Sequence, residues 1–403
     1  MRFLFLTLIS MLLNSAFALE LTNNLAIQSV KKEQEASEAK EGHLGRSFLP
    51  HLLLVGGEEH FKVESIPSKT EPYGFLEARF NLFRGGKDNL ASEIIQLKSG
   101  LSKIRTDLKT REELNKIRKL QYEIIFNNEL ISILEREKDE NLKIRSQANR
   151  RASSGVSTRT DSLEFTIFDS ELEETIESLK HENKILKIGL APLVGIETEN
   201  LKFPSVLDHQ HDEKLLARVE NFQNYPQVVS LKLENEIFQK EKSIDRRFWL
   251  PSVDVYGGHY YNFELINRDF RDRNRLDAQA IGVRLTIELF DGLESSVKAT
   301  SNQYRAEAKR LMAKHSERQS EAKFNMLKED LIHTHEVMHY VLDRIKKSKD
   351  YLRLTLKEYD RGVKNSLDAL TAMQRYYRYE KDYLEKKKEY HVIKADLLAL
   401  LGE

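Results

Sequence analysis

Two alternations of apolar and polar residues, with different periods, divide this chain. Val283, Leu285, Ile287 and Leu289 alternate with Arg284, Thr286 and Glu288, and Ala78, Phe80 and Leu82 alternate with Glu77, Arg79 and Asn81. A period of two gives a strand one dry face and one wet face. Upstream, LPHLLLVGG (49–57) and LPSVDVYGGHYY (250–261) read as partner strands, with polar loops such as INRDFRDRNRLDAQ between. Hairpins are therefore predicted at about 49–84 and 250–291, with strands of about the ten residues a tilted transmembrane strand needs. The same alternation also suits a half-buried hairpin in a soluble domain.

Beyond each hairpin the period lengthens. Phe324, Leu331, Met338, Ile345, Leu352 and Tyr359 fall every seven residues, with Leu327 and Val341 on the adjoining row. That is a coiled-coil seam. No proline interrupts Gly85 to Gly155 or Gly292 to Gly362, so long helices are predicted over 86–154 and 293–361. Seventy helical residues span roughly 105 Å, far more than a compact domain accommodates. Glycine supplies the left-handed conformation that ends such a helix. Return helices follow over 156–195 and 363–401, and further helical stretches over 22–47 and 214–247 supply the length the returns lack.

The chain is a duplication. Gly85 and Gly292, each closing Leu-Phe-x-Gly, are 207 positions apart, as are Gly155 and Gly362, and Gly195 and Gly402. Three equal offsets mean two copies, gap-free over 110 residues. Pro50 to Gly85 spans 35 positions and Pro251 to Gly292 spans 41, so one loop is longer. The repeats are 19–195 and 214–403, joined by a linker at 196–213.

Composition narrows the function. Of 403 residues 32% are charged and only 7 are proline, which fits long solvated helices better than compact cores. Lysine plus arginine equals aspartate plus glutamate at 64 each, so no net field favours nucleic acid. The absence of cysteine rules out disulfides and thiolate metal sites. Arg2, the apolar run Phe3 to Leu13 and the small-x-small Ala16-Phe17-Ala18 read as a secretory signal peptide over 1–18. No later stretch could cross a membrane as a helix, so a membrane form must cross as strands.

One motif points elsewhere. HEVMH (335–339) places His335 and His339 on one face of a helix with Glu336 between, the pattern of a zinc peptidase. Met338, however, belongs to the heptad seam, and no GxxH supplies a third ligand. Glu358 lies about 28 Å farther along the same rod. The matching residues of the first copy are Asn128, Glu129 and Ser132, so the helix does not need the histidines. No catalytic residues and no cofactor are expected, and His333, His335 and His339 are at most adventitious or regulatory metal ligands. His209 and His211 read as a solvated loop.

FLP and WLP before the hairpins, the LFxG exits, NYPQVVSLKLENEIFQKEKSIDRRFWLPSVDVYGG and the C-terminal YDRGVKNSLDALTAMQRYYRYEKDYLEKKKEYHVIKADLLALLGE together resemble the TolC-type outer-membrane efflux proteins. The resemblance spans essentially the whole mature chain. It implies a mainly α fold with a small β part: duplicated coiled-coil hairpins forming an α-barrel, and four transmembrane strands per chain in a shared trimeric 12-stranded β-barrel. It also implies a periplasmic helical tunnel, a homotrimer, and a periplasmic adaptor protein and inner-membrane transporter as partners. By the same resemblance Tyr359, Lys364 and Asp161 form a network closing the periplasmic gate, and Asp368 forms an acidic ring. Asp161 and Asp368 equally suit the positive ends of the returning helices. Thr371 stands where a second acid is expected, and Ala152 where a tyrosine would mirror Tyr359. Gly155, Val156, Gly362 and Val363 match the adaptor-docking tips, or are simple turn chemistry. The expected function is the exit duct of a tripartite efflux pump or type I secretion system. A secreted zinc metallopeptidase and a periplasmic adaptor are the alternatives.

Overall fold

The computed structural model of the chain describes residues 23–63, 66–155, 159–201, 203, 213–216, 221–263 and 276–402. The signal-peptide reading, Val156 and the pair His209 and His211 lie outside them. The elements in order are α1 (Leu25–Glu41), β1 (His51–Val63), β2 (Ile66–Arg84), α2 (Lys87–Ser153), α3 (Arg159–Val194), α4 (Pro226–Asp245), β3 (Ser252–Phe263), β4 (Leu276–Thr286), α5 (Glu294–Asp360) and α6 (Ser366–Leu401). The fold is mainly helical with one small antiparallel sheet. Contacts group the chain into two units, one of Met1–Lys31, Thr106–Asn224 and Glu317–Glu403, the other of Lys32–Arg105 and Tyr225–Ser316.

The second unit carries the sheet, with strand order β1-β2-β3-β4 and every neighbouring pair antiparallel. Its two faces are inverted relative to a soluble protein. Phe80 pairs with Val255 and Val255 with Val283, and Ala78 pairs with Gly257 and Gly257 with Ile281, placing these residues on one face. That face is open: Leu54 is 80% exposed and Ile281 87%. The opposite face holds the polar residues, with Glu77 and Asn81 buried. There Glu77 accepts hydrogen bonds from Arg79 Nη2 at 2.7 Å and from the Tyr260 hydroxyl at 2.9 Å, and Arg284 lies 4.7 Å over the Tyr256 ring.

β4 ends at Thr286, short of the predicted alternation through Leu289. Thr286 pairs with Ser252, so the next partner in register is Pro251, which has no N–H to donate to the ladder. The helical stretch expected over 214–247 is broken in a similar way. Glu213–Leu216 forms a single turn, and α4 starts at Pro226. Tyr225, before the proline, is extended with ψ 135°, so the helix begins there. The stretch expected over 22–47 forms an α-helix only to Glu41 and then a short 3₁₀ turn at Leu44–Phe48.

Helices of this unit pack through Ile94, Leu101 and Ile237 and are laced by ion pairs. Lys240 meets Glu93 at 2.5 Å, and Glu234 takes both Arg105 at 3.0 Å and Lys309 at 2.5 Å. Burial pushes the Glu234 carboxyl up, but its bonds to Lys309 and Arg105 outweigh that and hold it below the usual carboxylate range.

In the other unit the predicted seam is the core. Phe324, Leu331, Met338, Leu352 and Tyr359 are all buried. Leu352 and Tyr359, with the partly buried Ile345, join residues of α2, α3 and α6, including Ala148, Phe165, Met373 and Tyr377. The six glycines that marked the repeat all have positive φ, between 62° and 88°, which explains why both copies keep them.

One aligned pair breaks this rule. Gly86 has φ 68°, and the residue 207 positions later is Leu293, also with φ 68°. The left-handed conformation costs a leucine roughly 1–2 kcal/mol. Leu293→Gly relieves that strain, offset in part by glycine's greater freedom in the unfolded chain, for a net gain of about 0.5–1 kcal/mol. The expected result is a higher melting temperature in detergent, and a lower one would show that the Leu293 side chain stabilises the turn.

Candidate functional site

The chain reverses twice within one unit, between α2 and α3 and between α5 and α6, and these turns carry the predicted gate. α5 ends in a glycine turn: Gly362 N–H donates to Tyr359 O at 2.9 Å and Val363 N–H to Glu358 O at 2.9 Å, with Gly362 at φ 79°. Such bonds satisfy carbonyls that a helix end leaves without partners. Gly155 ends α2 similarly, its N–H donating to Ala152 O at 3.1 Å with φ 75°. Val363 is 72% exposed.

Tyr359 is buried, and it has partners beyond the expected network. The Arg151 guanidinium donates to the Tyr359 carbonyl oxygen and lies 4.6 Å over its ring, while the Tyr359 hydroxyl faces Ser366 Oγ at 3.3 Å. Arg151 therefore ties the last turn of α2 to the last turn of α5. A cation suits this place because the carbonyl ends of helices are electronegative. Lys364 is partly exposed. Asp161 belongs to α3, and its side chain lies outside the described residues. The repeat does not point to Arg151, because the position aligned with Tyr359 is its neighbour Ala152. The available signal was the basic pair Arg150-Arg151 in the last helical turn.

Asp368 has a local task. Asn365 caps α6 by accepting from Asp368 N–H at 2.8 Å, and the Asp368 carboxylate accepts from Asn365 N–H at 3.3 Å. This reciprocal capping box anchors the start of the returning helix. Farther along α6 the surface turns basic. Thr371, Arg375, Arg378 and Lys381 line a cavity of about 390 Å³ together with Glu137 and Phe168. Lys381 pairs with buried Glu137 at 2.9 Å. Burial pushes the Glu137 carboxyl above its ordinary range, opposed by the Lys381 charge and hydrogen bond.

The HEVMH residues lie on the flank of α5. Met338 points into the core, and His335 and His339 approach each other with Nε2 atoms 3.1 Å apart. Among the described residues no group of three or more His, Cys, Asp or Glu is placed to hold a metal ion. Among them, too, no helix is long and apolar enough to cross a membrane.

Comparison with known proteins bears on the whole arrangement. Residues 219–403 match the outer membrane efflux protein family. No curated protein sequence matches the chain. Among solved structures, the chain is similar to the outer membrane protein VceC of Vibrio cholerae at a TM-score of 0.81 and 15% identity, covering 97% of this chain and 96% of that one. It is similar to the CmeC outer membrane channel of Campylobacter jejuni, with TM-score 0.80, 13% identity and coverage of 97% and 85%. The open state of the MtrE outer membrane channel of Neisseria gonorrhoeae gives 0.75, 16%, 96% and 88%. Residues 219–403 thus match the outer membrane efflux protein family, and the chain as a whole shares its fold with solved outer-membrane channels.

Proposed function

We propose that this chain is a subunit of an outer-membrane exit duct, passive in itself and not an enzyme, serving a tripartite efflux pump or a type I secretion system. The observation that carries this reading is the inverted sheet, with Ile281 87% exposed on the apolar face and Glu77 5% exposed on the polar one. Water is the wrong solvent for that face, and lipid is the right one. Four strands with β1 and β4 at the edges leave unpaired backbone groups that a bilayer does not tolerate. Several copies close the cylinder, and three give twelve strands, within the range of membrane barrels.

In this reading the α2–α3 and α5–α6 turns form the periplasmic entrance. Gly155, Val156, Gly362 and Val363 meet the adaptor protein, and the inner-membrane transporter delivers cargo through it. Tyr359, Lys364, Asp161 and Asp368 act as the gate, with Arg151 added to the set. Support for a gate comes from the Arg151 bond, which holds two helix ends together through one side chain.

The test is purification in detergent followed by reconstitution into a planar bilayer. Discrete conductance steps are expected, with Lys364→Glu raising the open probability. A detergent-free soluble monomer without conductance would overturn the proposal.

A further inference from the structure

We propose that His335 and His339 form a two-nitrogen chelating site for a divalent transition-metal ion, with Cu²⁺ bound in preference to Zn²⁺. The two histidines lie four positions apart on α5, which stacks them on one face of the helix. Their Nε2 atoms are 3.1 Å apart, with ring centroids at 4.7 Å and ring planes at 87°. Without metal, one Nε2–H donates to the other Nε2, and a small rotation of the two side chains turns both lone pairs toward a shared ion. Two nitrogens 3.1 Å apart, each about 2.0–2.1 Å from an ion, subtend roughly 95–100° at that ion.

That angle suits several ions, and the donor type ranks them. The angle is near the right angle of square-planar or octahedral coordination, whereas a tetrahedral ion would draw the nitrogens apart to about 3.4 Å. Tetragonal nitrogen sites favour Cu²⁺ and Ni²⁺, and the ordinary order of divalent affinities places Cu²⁺ highest. The surroundings suit a surface chelate. His339 is exposed, and His335 is half-buried with its ring 6.2 Å from that of Tyr390 on α6, which backs it. Among the described residues no third His, Cys, Asp or Glu joins the pair, so water completes the coordination shell. The zinc peptidase pattern needs three protein ligands, which this site does not offer.

The test uses the full-length chain without a polyhistidine tag, in detergent, titrated with Cu²⁺ and followed by calorimetry and electron paramagnetic resonance. One high-affinity ion per chain is expected, with two coupled nitrogens and weaker binding of Zn²⁺. His339→Ala leaves a single nitrogen and lowers Cu²⁺ affinity by roughly a hundredfold, because the chelate's second contact is lost. His339→Gln does the same and guards against a folding defect, while His333→Ala leaves binding unchanged. A wild-type spectrum with one nitrogen, or His339 variants that bind Cu²⁺ as the wild type does, would overturn the assignment.

Discussion

Ile281→Arg abolishes recovery of the protein from the outer-membrane fraction as a stable oligomer. Ile281 lies on β4 opposite Gly257 and is 87% exposed, so an arginine there meets no steric obstacle within the chain. In water such a change would fall within about 0.5 kcal/mol of neutral. On the lipid face of a barrel it costs about 2–4 kcal/mol near the midplane. Each copy incurs that cost, and over the three copies of the proposed assembly it sums to about 6–12 kcal/mol, comparable to the whole stability of a typical folded domain. Leu289→Arg serves as the control, since Leu289 lies beyond the end of β4 and is 89% exposed. Near the interface the same charge costs only about 0–1 kcal/mol, and assembly is expected to survive. Fractionation followed by electrophoresis of unheated samples reads both variants, and normal assembly of Ile281→Arg would remove the lipid-facing reading.

Arg151→Ala opens the channel. It removes a charge-assisted hydrogen bond to the Tyr359 carbonyl and the stacking of the guanidinium on the ring. A hydrogen bond to a charged group contributes about 1.5–3 kcal/mol and an exposed cation–π contact about 0.5–1 kcal/mol. A loss of about 2 kcal/mol shifts the closed-to-open equilibrium by roughly thirtyfold. Arg151→Lys keeps the charge but loses the planar fork, so its effect is intermediate. Tyr359→Phe removes only the 3.3 Å contact to Ser366 and has the smallest effect. Single-channel recording ranks the three variants. An unchanged open probability for Arg151→Ala would reduce the contact to a support of the helix ends.

Some of this was legible along the chain because it is periodic. The seam from Phe324 to Tyr359 shows in sequence since heptads repeat locally, and all of it but the half-buried Ile345 is buried as the spacing implies. The glycine offset shows because a left-handed turn admits few other residues, although Leu293 proves that it admits some. The period of two in β2 and β4 was equally plain. Which face would be open was not, because alternation alone is symmetric between the two, and only the buried Glu77 and Asn81 break the symmetry. The end of β4 depended on Pro251, a residue of the partner strand, and α4 began at a proline that the helical pattern ran through. Arg151 was out of reach for a related reason. Its bond joins residues 208 positions apart and involves a backbone carbonyl, which carries no sequence signature.

The most direct measurement of the sheet's solvent uses spin labels. The chain has no cysteine, so single cysteines can be introduced one at a time from Ala280 to Thr286 and labelled in reconstituted bilayers. Labels at 281, 283 and 285 are predicted to be relaxed by lipid-soluble oxygen, and those at 282, 284 and 286 by a water-soluble nickel complex. Nickel relaxation at every position, with no alternation, would mean that this face of the sheet looks into water.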